Sequence, residues 1–356
     1  MTDAAKGGTA QPAGGFPTRP FTIGLVGASN IAMTRMLPAF AALGIGVRGL
    51  YDNEPRRFSY WADSGVEGQT TNLDQLLAGD IDAVYISTRN DQHLAEAAAA
   101  ADAGKHILVE KPMALSVADA QAMINAANRN GVVLAVNHHL PGSPLHVSAR
   151  RLVAEGRIGT LYSARINHAV LLPEHLRGWR LAGIPGGGVV LDITVHDASV
   201  LNPLFGTEPL RVSALGASQA PWNQARSRDS VMTIIEYAVG DRGVPGLAQT
   251  HDAFTVPHPG TSMEIHGETG AIVIGDAMTQ DTPGTVELHT AAGVESIEVD
   301  TSDDLYHINI RSFAAAVRGD GRPTATGEDG LRALKVALAV EESLKTGQTV
   351  NLTDLG

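Results

Sequence analysis

From Phe21 onward the chain alternates short apolar runs with amphipathic stretches. Phe21-Thr22-Ile23-Gly24-Leu25-Val26 reads as a buried strand. It runs straight into Gly27-Ala28-Ser29-Asn30-Ile31-Ala32, after which Met33 to Leu43 has a helical pattern. A second strand, Val47 to Tyr51, ends at Asp52. Asn72 caps a short helix through Leu73, Leu76 and Leu77, and the strand Ala83 to Ile86 then leads into Ser87-Thr88-Arg89-Asn90. Asp91 opens an alanine-rich helix that stops at Gly104, and Ile107 to Val109 is the next strand, ending at Glu110-Lys111-Pro112. Ser116 with Asp119 marks the start of a helix from Val117 to Arg129, closed by Asn130-Gly131, before the strand Val132 to Val136. Strands that alternate with helices predict a doubly wound parallel sheet, an α/β fold.

After Gly142-Ser143-Pro144 and a helix from Leu145 to Glu155 the character changes. Leu161 to Ile166, Arg211 to Leu215, Val231 to Val239, Gly246 to Thr250, Met263 to His266, Ala271 to Ile274 and Thr285 to Leu288 all read as strands, with few helices between them. They predict an α+β domain with a large, open, mostly antiparallel sheet. The uncovered face of such a sheet calls for a second copy of the chain, so a homo-oligomer, dimer or tetramer, is expected. Leu305 to Val317 and Gly330 to Lys345 are helical patterns expected to return toward the first domain. The expected division is a tail over 1–18, a nucleotide domain over 19–140 and a substrate and oligomerisation domain over 141–356.

A length of 356 residues agrees with two domains. Hydrophobic residues at 44% and charged residues at 18% are a globular balance. The net charge of −12 carries no basic cluster, which argues against nucleic acid or an anionic membrane as partner. No apolar run approaches the roughly 20 residues of a membrane span. Cysteine is absent, which removes disulfide and thiolate chemistry. The first eighteen residues are small and polar, with neither the apolar segment of a secretory leader nor paired arginines; they predict a disordered tail on a cytoplasmic protein.

Ligand chemistry in a doubly wound sheet belongs at the carboxyl ends of its strands. Those ends are Gly27, Asp52, Ser87, Lys111 and Asn137. A glycine-rich turn between a strand and a helix suits a dinucleotide pyrophosphate, although Ser29 stands where the usual fingerprint has its second glycine. Asp52, 25 residues after Gly27, is placed for the ribose hydroxyls of NAD. Arg56 and Arg57 keep NADP open as the alternative. In the second domain Gly186-Gly187-Gly188 precedes Asp192 and His196, which on a helix share one face as i and i+4. A carboxylate that orients an imidazole is an acid–base device; a capped helix with a satisfied histidine is the plainer alternative. Asn137, His138, His139, His168, Glu174, Trp179 and Arg180 are polar residues able to grade substrates. Arg180 suits either a substrate carboxylate or an ion pair within the loop. The 13 histidines contain no HExxH pattern, and no metal is expected.

Taken together, these residues resemble the Gfo/Idh/MocA oxidoreductases, the family of glucose–fructose oxidoreductase and inositol dehydrogenase. The likeness covers nearly the whole chain from about Phe21. It rests on Gly27 to Ala32, on Ser87-Thr88-Arg89-Asn90 with His93, on Glu110-Lys111-Pro112, and on Gly186-Gly187-Gly188 with Asp192 and His196. Ser29, Arg89 and Thr194 depart from the family pattern, where glycine, proline and glycine are usual. The resemblance implies an N-terminal Rossmann domain and an NAD(P)-dependent dehydrogenase of a sugar, polyol or related cyclic diol, with NAD as cofactor. It implies Lys111, Asp192 and His196 as catalytic residues. His196 would take the hydroxyl proton while hydride leaves for the nicotinamide, Lys111 would stabilise the alkoxide or relay the proton, and Asp192 would orient substrate hydroxyls or the imidazole. Cofactor contacts would come from Gly27, Ala28, Ser29, Asn30, Ile31, Asp52, Arg57, Ser87, Thr88, Asn90, His93, Glu110 and Lys111. Substrate contacts would come from Lys111, Asn137, His138, His168, Trp179, Arg180, Asp192 and His196. Pro112 would aim Lys111 across the cleft, a cis bond being one means, while Glu110 would set its charge or hold the ribose. An NAD-dependent glycosidase working through transient C3 oxidation, and a non-catalytic nucleotide or sugar sensor, are the competing readings.

Overall fold

Period-two alternation sorts the side chains of the first sheet onto two buried faces. The computed structural model describes residues 20–225, 227–280 and 284–355, so the expected tail over 1–18 lies outside the described residues. Strands β1 (Thr22–Val26), β2 (Gly46–Tyr51), β3 (Gln69–Thr70), β4 (Ala83–Ile86), β5 (His106–Val109) and β6 (Leu134–Val136) run parallel in the order β3-β2-β1-β4-β5-β6. Ile23, Leu25, Tyr85 and Leu108 point to one face, while Val84, Ile86, Ile107 and Val109 point to the other. A π-helical turn over Ala32–Met36 continuing into α1 (Leu37–Ala42) packs on the first face. Helices α2 (Leu73–Leu77), α3 (His93–Asp102) and α4 (Val117–Asn130) cover the second. Strand order reverses between β1 and β4, which opens a crevice at the carboxyl edge there.

Local chemistry sets the helix ends. Asn72 accepts from the N–H groups of Asp74 and Gln75, and Ser116 accepts from that of Asp119. Gly131 closes α4 with a left-handed φ of 64°. The alanine-rich helix starts at His93 instead of Asp91, because the Asp91 carboxylate is drawn to Arg89 at 2.6 Å.

The second half begins with α5 (Pro144–Ala154) and β7 (Leu161–Ala169). A short α6 (Arg177–Leu181) follows, then a π-helical turn over Val190–Thr194 that continues as α7 (Val195–Phe205). Strands β8 (Pro209–Ala217), β9 (Ser230–Tyr237), β10 (Gly246–Ala253), β11 (Ser262–Gly267), β12 (Gly270–Gly275), β13 (Thr285–Thr290) and β14 (Gly293–Ile297) come next. After them lie α8 (Leu305–Val317), α9 (Gly327–Thr346) and β15 (Val350–Asn351). The sheet order is β14-β13-β12-β11-β7-β10-β9-β8-β15, antiparallel throughout except for the β7–β10 pair. Its inner face packs on α7, which is buried almost all round. The outer face leaves Leu215 at 81% and Ile234 at 56% exposure, beside Met232 and Leu247. Strand β14 was not anticipated, because its residues are almost all exposed and give no apolar alternation.

The chain does return. Tyr306, Ile310, Phe313 and Val317 of α8 are buried on the α1 face of the first sheet, where Phe313 meets Phe21 edge-on at 6.2 Å. A bridge from Ala135 to Thr326 carries the start of α9 past β6. Phe313→Ala is expected to cost about 3–5 kcal/mol of unfolding free energy in urea titrations; a near-neutral result would mean that α8 is not part of this core.

Candidate active site

The crevice between β1 and β4 opens beside Gly27, whose φ is 106°. A Cβ there would sit 2.7 Å from the Thr88 N–H nitrogen, so the crossing of the two strand-end loops admits glycine alone. Ser29 ties these loops together. Its hydroxyl donates to Ser87 Oγ at 2.8 Å and accepts from Ala32 N at 3.1 Å, acting as a cap on the helix start. Asp52 lies beneath, 1% exposed, and accepts from Ala28 N and Glu54 N, both at 2.8 Å. Arg57 reaches Asp52 at 3.5 Å and Glu54 at 3.0 Å. The cradle of small residues and turn N–H groups fits a dinucleotide pyrophosphate.

Lys111 leaves the end of β5 through a cis peptide to Pro112. Its ammonium donates to the Asp192 carbonyl at 2.8 Å and to Asp192 Oδ1 at 2.9 Å. The π-turn that bears Asp192 bonds Val195 N to Val190 O, five residues back, and breaks the ordinary helical ladder at this point. Arg180 donates from Nε to Asp192 Oδ2 at 2.7 Å, while its guanidinium lies over the Trp179 ring at 4.6 Å. Burial would raise the Asp192 pKa, but Lys111 and Arg180 outweigh it and hold the carboxyl at about 2.

Against this ion chain stand four histidine rings. His196 has His139 at 5.5 Å, His138 at 5.8 Å and His168 at 6.3 Å between ring centroids, and Tyr306 of α8 lies 4.8 Å from His139. Burial, with the Lys111 charge second, pushes His138 down to about 3 and His139 to about 4. The same causes take His196 well below the ordinary imidazole range. All three are neutral near pH 7, so His196 can accept a proton there but cannot hold it cheaply.

Residues 21–138 match the family model "Oxidoreductase family, NAD-binding Rossmann fold", and residues 150–352 match its companion, "Oxidoreductase family, C-terminal alpha/beta domain". The chain belongs to the Gfo/Idh/MocA oxidoreductase family. A 1,5-anhydro-D-fructose reductase from Ensifer adhaerens is 40% identical, over 92% of this chain and 98% of its own. An inositol 2-dehydrogenase from Rhizobium meliloti is 25% identical, over 92% and 93%. Levoglucosan dehydrogenase in complex with NADH and levoglucosan superposes with a TM-score of 0.80 at 22% identity, covering 94% of this chain and 100% of that one, a likeness of fold.

Within this Gfo/Idh/MocA chain, Lys111, Asp192, His196, His138, His168 and Arg180 converge on one cleft. Others named from the sequence do not face it. Asn137 is 2% exposed and fully engaged: it donates to Glu110 at 2.5 Å and accepts from Asn309 at 2.6 Å. Glu110 also accepts from Tyr85 at 2.6 Å and from Lys111 N at 3.2 Å, so its carboxylate anchors the end of β5. His93 is fully buried, with its ring nitrogens 3.2 Å from Met113 O and 3.3 Å from Thr88 O, and it fastens α3 to both strand-end loops. Asn90 lies against Gly186, where a Cβ would meet its amide at 2.8 Å. Asp192 does not orient His196, because two cations hold its carboxylate and His196 Nδ1 has no partner among the described residues. Trp179, 45% exposed, stands at the rim. Glu174 is exposed in its short turn and makes none of these contacts. Among the described residues no three His, Cys, Asp or Glu side chains are placed to hold a metal. Tyr306 was missed, since its helix lies far along the chain and only the return of α8 brings it to His139.

Gly27→Ala is expected to weaken nucleotide binding at least about tenfold, from left-handed backbone strain added to the Thr88 collision. Fluorescence titration with NADH measures it, and an unchanged dissociation constant would remove Gly27 from the cradle.

Proposed function

We propose that this chain interconverts a secondary alcohol and a ketone on a neutral cyclic sugar or polyol, anhydrosugars included, with NAD(H). The observation that carries this is Lys111, held by an Asp192 carboxylate that also pairs with Arg180, beside a neutral His196 at the carboxyl edge of a nucleotide sheet. The named substrates of the relatives, 1,5-anhydro-D-fructose and inositol, supply the class. NAD, when bound, exchanges the hydride. Gly27, Ala28, Ser29, Asn30 and Ile31 would hold its pyrophosphate, and Ser87, Thr88 and Asn90 would border it. Asp52 disfavours a 2′-phosphate, and Arg57, already shared between Asp52 and Glu54, offers it little compensation. NAD is therefore inferred over NADP.

Lys111 stabilises the developing alkoxide by charge and hydrogen bond, an effect amplified where water is excluded. Asp192, ionised, keeps that ammonium aimed and does not itself move a proton. His196 takes the hydroxyl proton. A sensor would have no use for a half-buried ammonium and a neutral base on one reacting position. No described helix is long and apolar enough to cross a membrane; a cytoplasmic site of action belongs to the proposal. So does pairing through Leu215, Met232, Ile234 and Leu247 on the open sheet face.

Lys111→Ala and His196→Asn are each expected to cut turnover by about 10²–10⁴-fold while NADH binding persists. A panel of anhydrosugars, inositols and aldoses read at the nicotinamide absorbance tests this, and wild-type turnover in either variant rejects the assignment. Light scattering should give a dimer or tetramer that Ile234→Asp dissociates; a monomeric wild type would sink the pairing.

A further inference from the structure

Two carboxyls behind the cleft are unused by the chemistry above. Asp197 follows His196 on α7, Asp252 lies on β10, and both are fully buried. Asp252 Oδ2 accepts from the Thr194 hydroxyl and, at 3.2 Å, from the Thr250 hydroxyl. Asp197 Oδ1 is 2.6 Å from His168 Nδ1. The remaining oxygens, Asp197 Oδ2 and Asp252 Oδ1, are buried with no donor among the described residues, and the Asp197 charge helps to raise the Asp252 pKa.

Donor counting decides the protonation of this cluster. One proton shared between the two carboxyls would give both partnerless oxygens a bond. With that proton on Asp252 Oδ1, donated to Asp197 Oδ2, the other Asp197 oxygen is an acceptor. His168 must then donate Nδ1–H, which leaves Nε2 as a lone pair with no partner among the described residues. The His168 side chain keeps 10% exposure, and the 6.3 Å from its ring to that of His196 is a gap one oxygen can bridge.

We propose that His168, Asp197 and Asp252 form a proton relay that empties His196 during alcohol oxidation and refills it during ketone reduction. The inference rests on His196 as the base at the reacting hydroxyl. In oxidation the proton on His196 crosses one bridging hydroxyl or water to His168 Nε2. The Nδ1–H bond breaks as an Asp197 Oδ1–H bond forms, so the ring ends neutral in its other tautomer and the carboxylate becomes an acid. The C–H electron pair leaves as hydride to the nicotinamide, and the sum is the ordinary two-electron oxidation.

Physical preference runs the same way. An imidazolium at His168 is disfavoured by burial first, which outweighs the pull of the acidic groups Asp252 and Asp192, with Lys111 adding to burial, and its pKa falls to about 4. Burial pushes Asp197 up to about 7, and burial together with Asp197 raises Asp252 further. The other titratable groups facing this cluster are His139, His146 and His196, all shifted toward the neutral form. A proton arriving here therefore rests on the carboxyl pair.

Two measurements test the relay. Difference infrared spectroscopy of the NADH complex at neutral pH should show a protonated-carboxyl band that Asp197→Asn and Asp252→Asn each alter. A spectrum without it overturns the relay whatever the substrate. Single-turnover reduction of 1,5-anhydro-D-fructose by bound NADH should fall as pH rises through about 7, where Asp197 loses its second-step proton. Asp197→Asn should slow it about 10²–10⁴-fold and abolish that limb. Asp252→Asn should lose at least about tenfold less and keep the limb, because its amide donates to Asp197 as the protonated acid does. Equal losses in the two amides, or an intact limb in Asp197→Asn, overturn the relay. If Asp197→Asn does not bind NADH, His168→Gln takes its place, and an intact limb there is equally decisive. Full turnover in His196→Asn would instead reject the underlying base assignment.

Discussion

The architecture turns on one ammonium. Lys111 ends a strand of the first sheet, yet its hydrogen bonds go to the carbonyl and carboxylate of Asp192 in the second half of the chain. Taken alone, a partly buried ion pair is weak evidence of stability, since desolvation offsets attraction. Here the carboxylate has a second cation, Arg180, and the ammonium has a second acceptor in the Asp192 carbonyl. Each charge thereby has partners within the protein, although both side chains are largely withdrawn from solvent. The π-turn at Val190–Thr194 is what makes the geometry available: it interrupts the helical ladder where Lys111 arrives.

Support for that ammonium is distributed along the chain. Tyr85, Glu110, Asn137 and Asn309 form one hydrogen-bonded line from β4 through β5 and the residue after β6 to α8. Asn309 comes from near the end of the chain, so the last third of the sequence braces the strand that carries Lys111. Buried polar networks of this kind hold only when every member is satisfied, and Asn137 meets that condition by giving up any role toward a ligand.

The sequence made much of this legible. Strand ends located the crevice, the caps at Asn72 and Ser116 stand as read, and the resemblance placed Lys111, Asp192 and His196 in one cleft. What stayed hidden has physical causes. A strand-end position says nothing about which way a side chain turns, so Asn137 and His93 looked as available as Lys111. Asp192 and His196 are four apart, but spacing cannot reveal that Arg180 competes for the carboxylate. The acid pair left a faint signal: Thr250 and Asp252 fall on the inward-facing positions of β10, where alternation calls for apolar side chains. Polar residues in core-facing register need buried partners, and here Asp252 accepts from the Thr194 and Thr250 hydroxyls.

The same burial sets two opposing pH terms. His138, His139, His146, His168 and His196 have lowered pKa values, so the folded chain binds fewer protons than the unfolded one below about pH 6.5. Their neutral burial therefore costs stability increasingly as pH falls from there. Glu96, Asp197 and Asp252 are raised, and their contribution has the reverse sign: present in acid, and lost as pH rises from about 4 toward 7. Across that interval the two sets partly cancel. An interior of histidines alone would be eroded steeply by mild acid, and one of carboxyls alone by neutrality. Placing Asp197 and Asp252 against His168 lets the cleft keep a neutral base near Lys111 without concentrating the whole pH cost on one side.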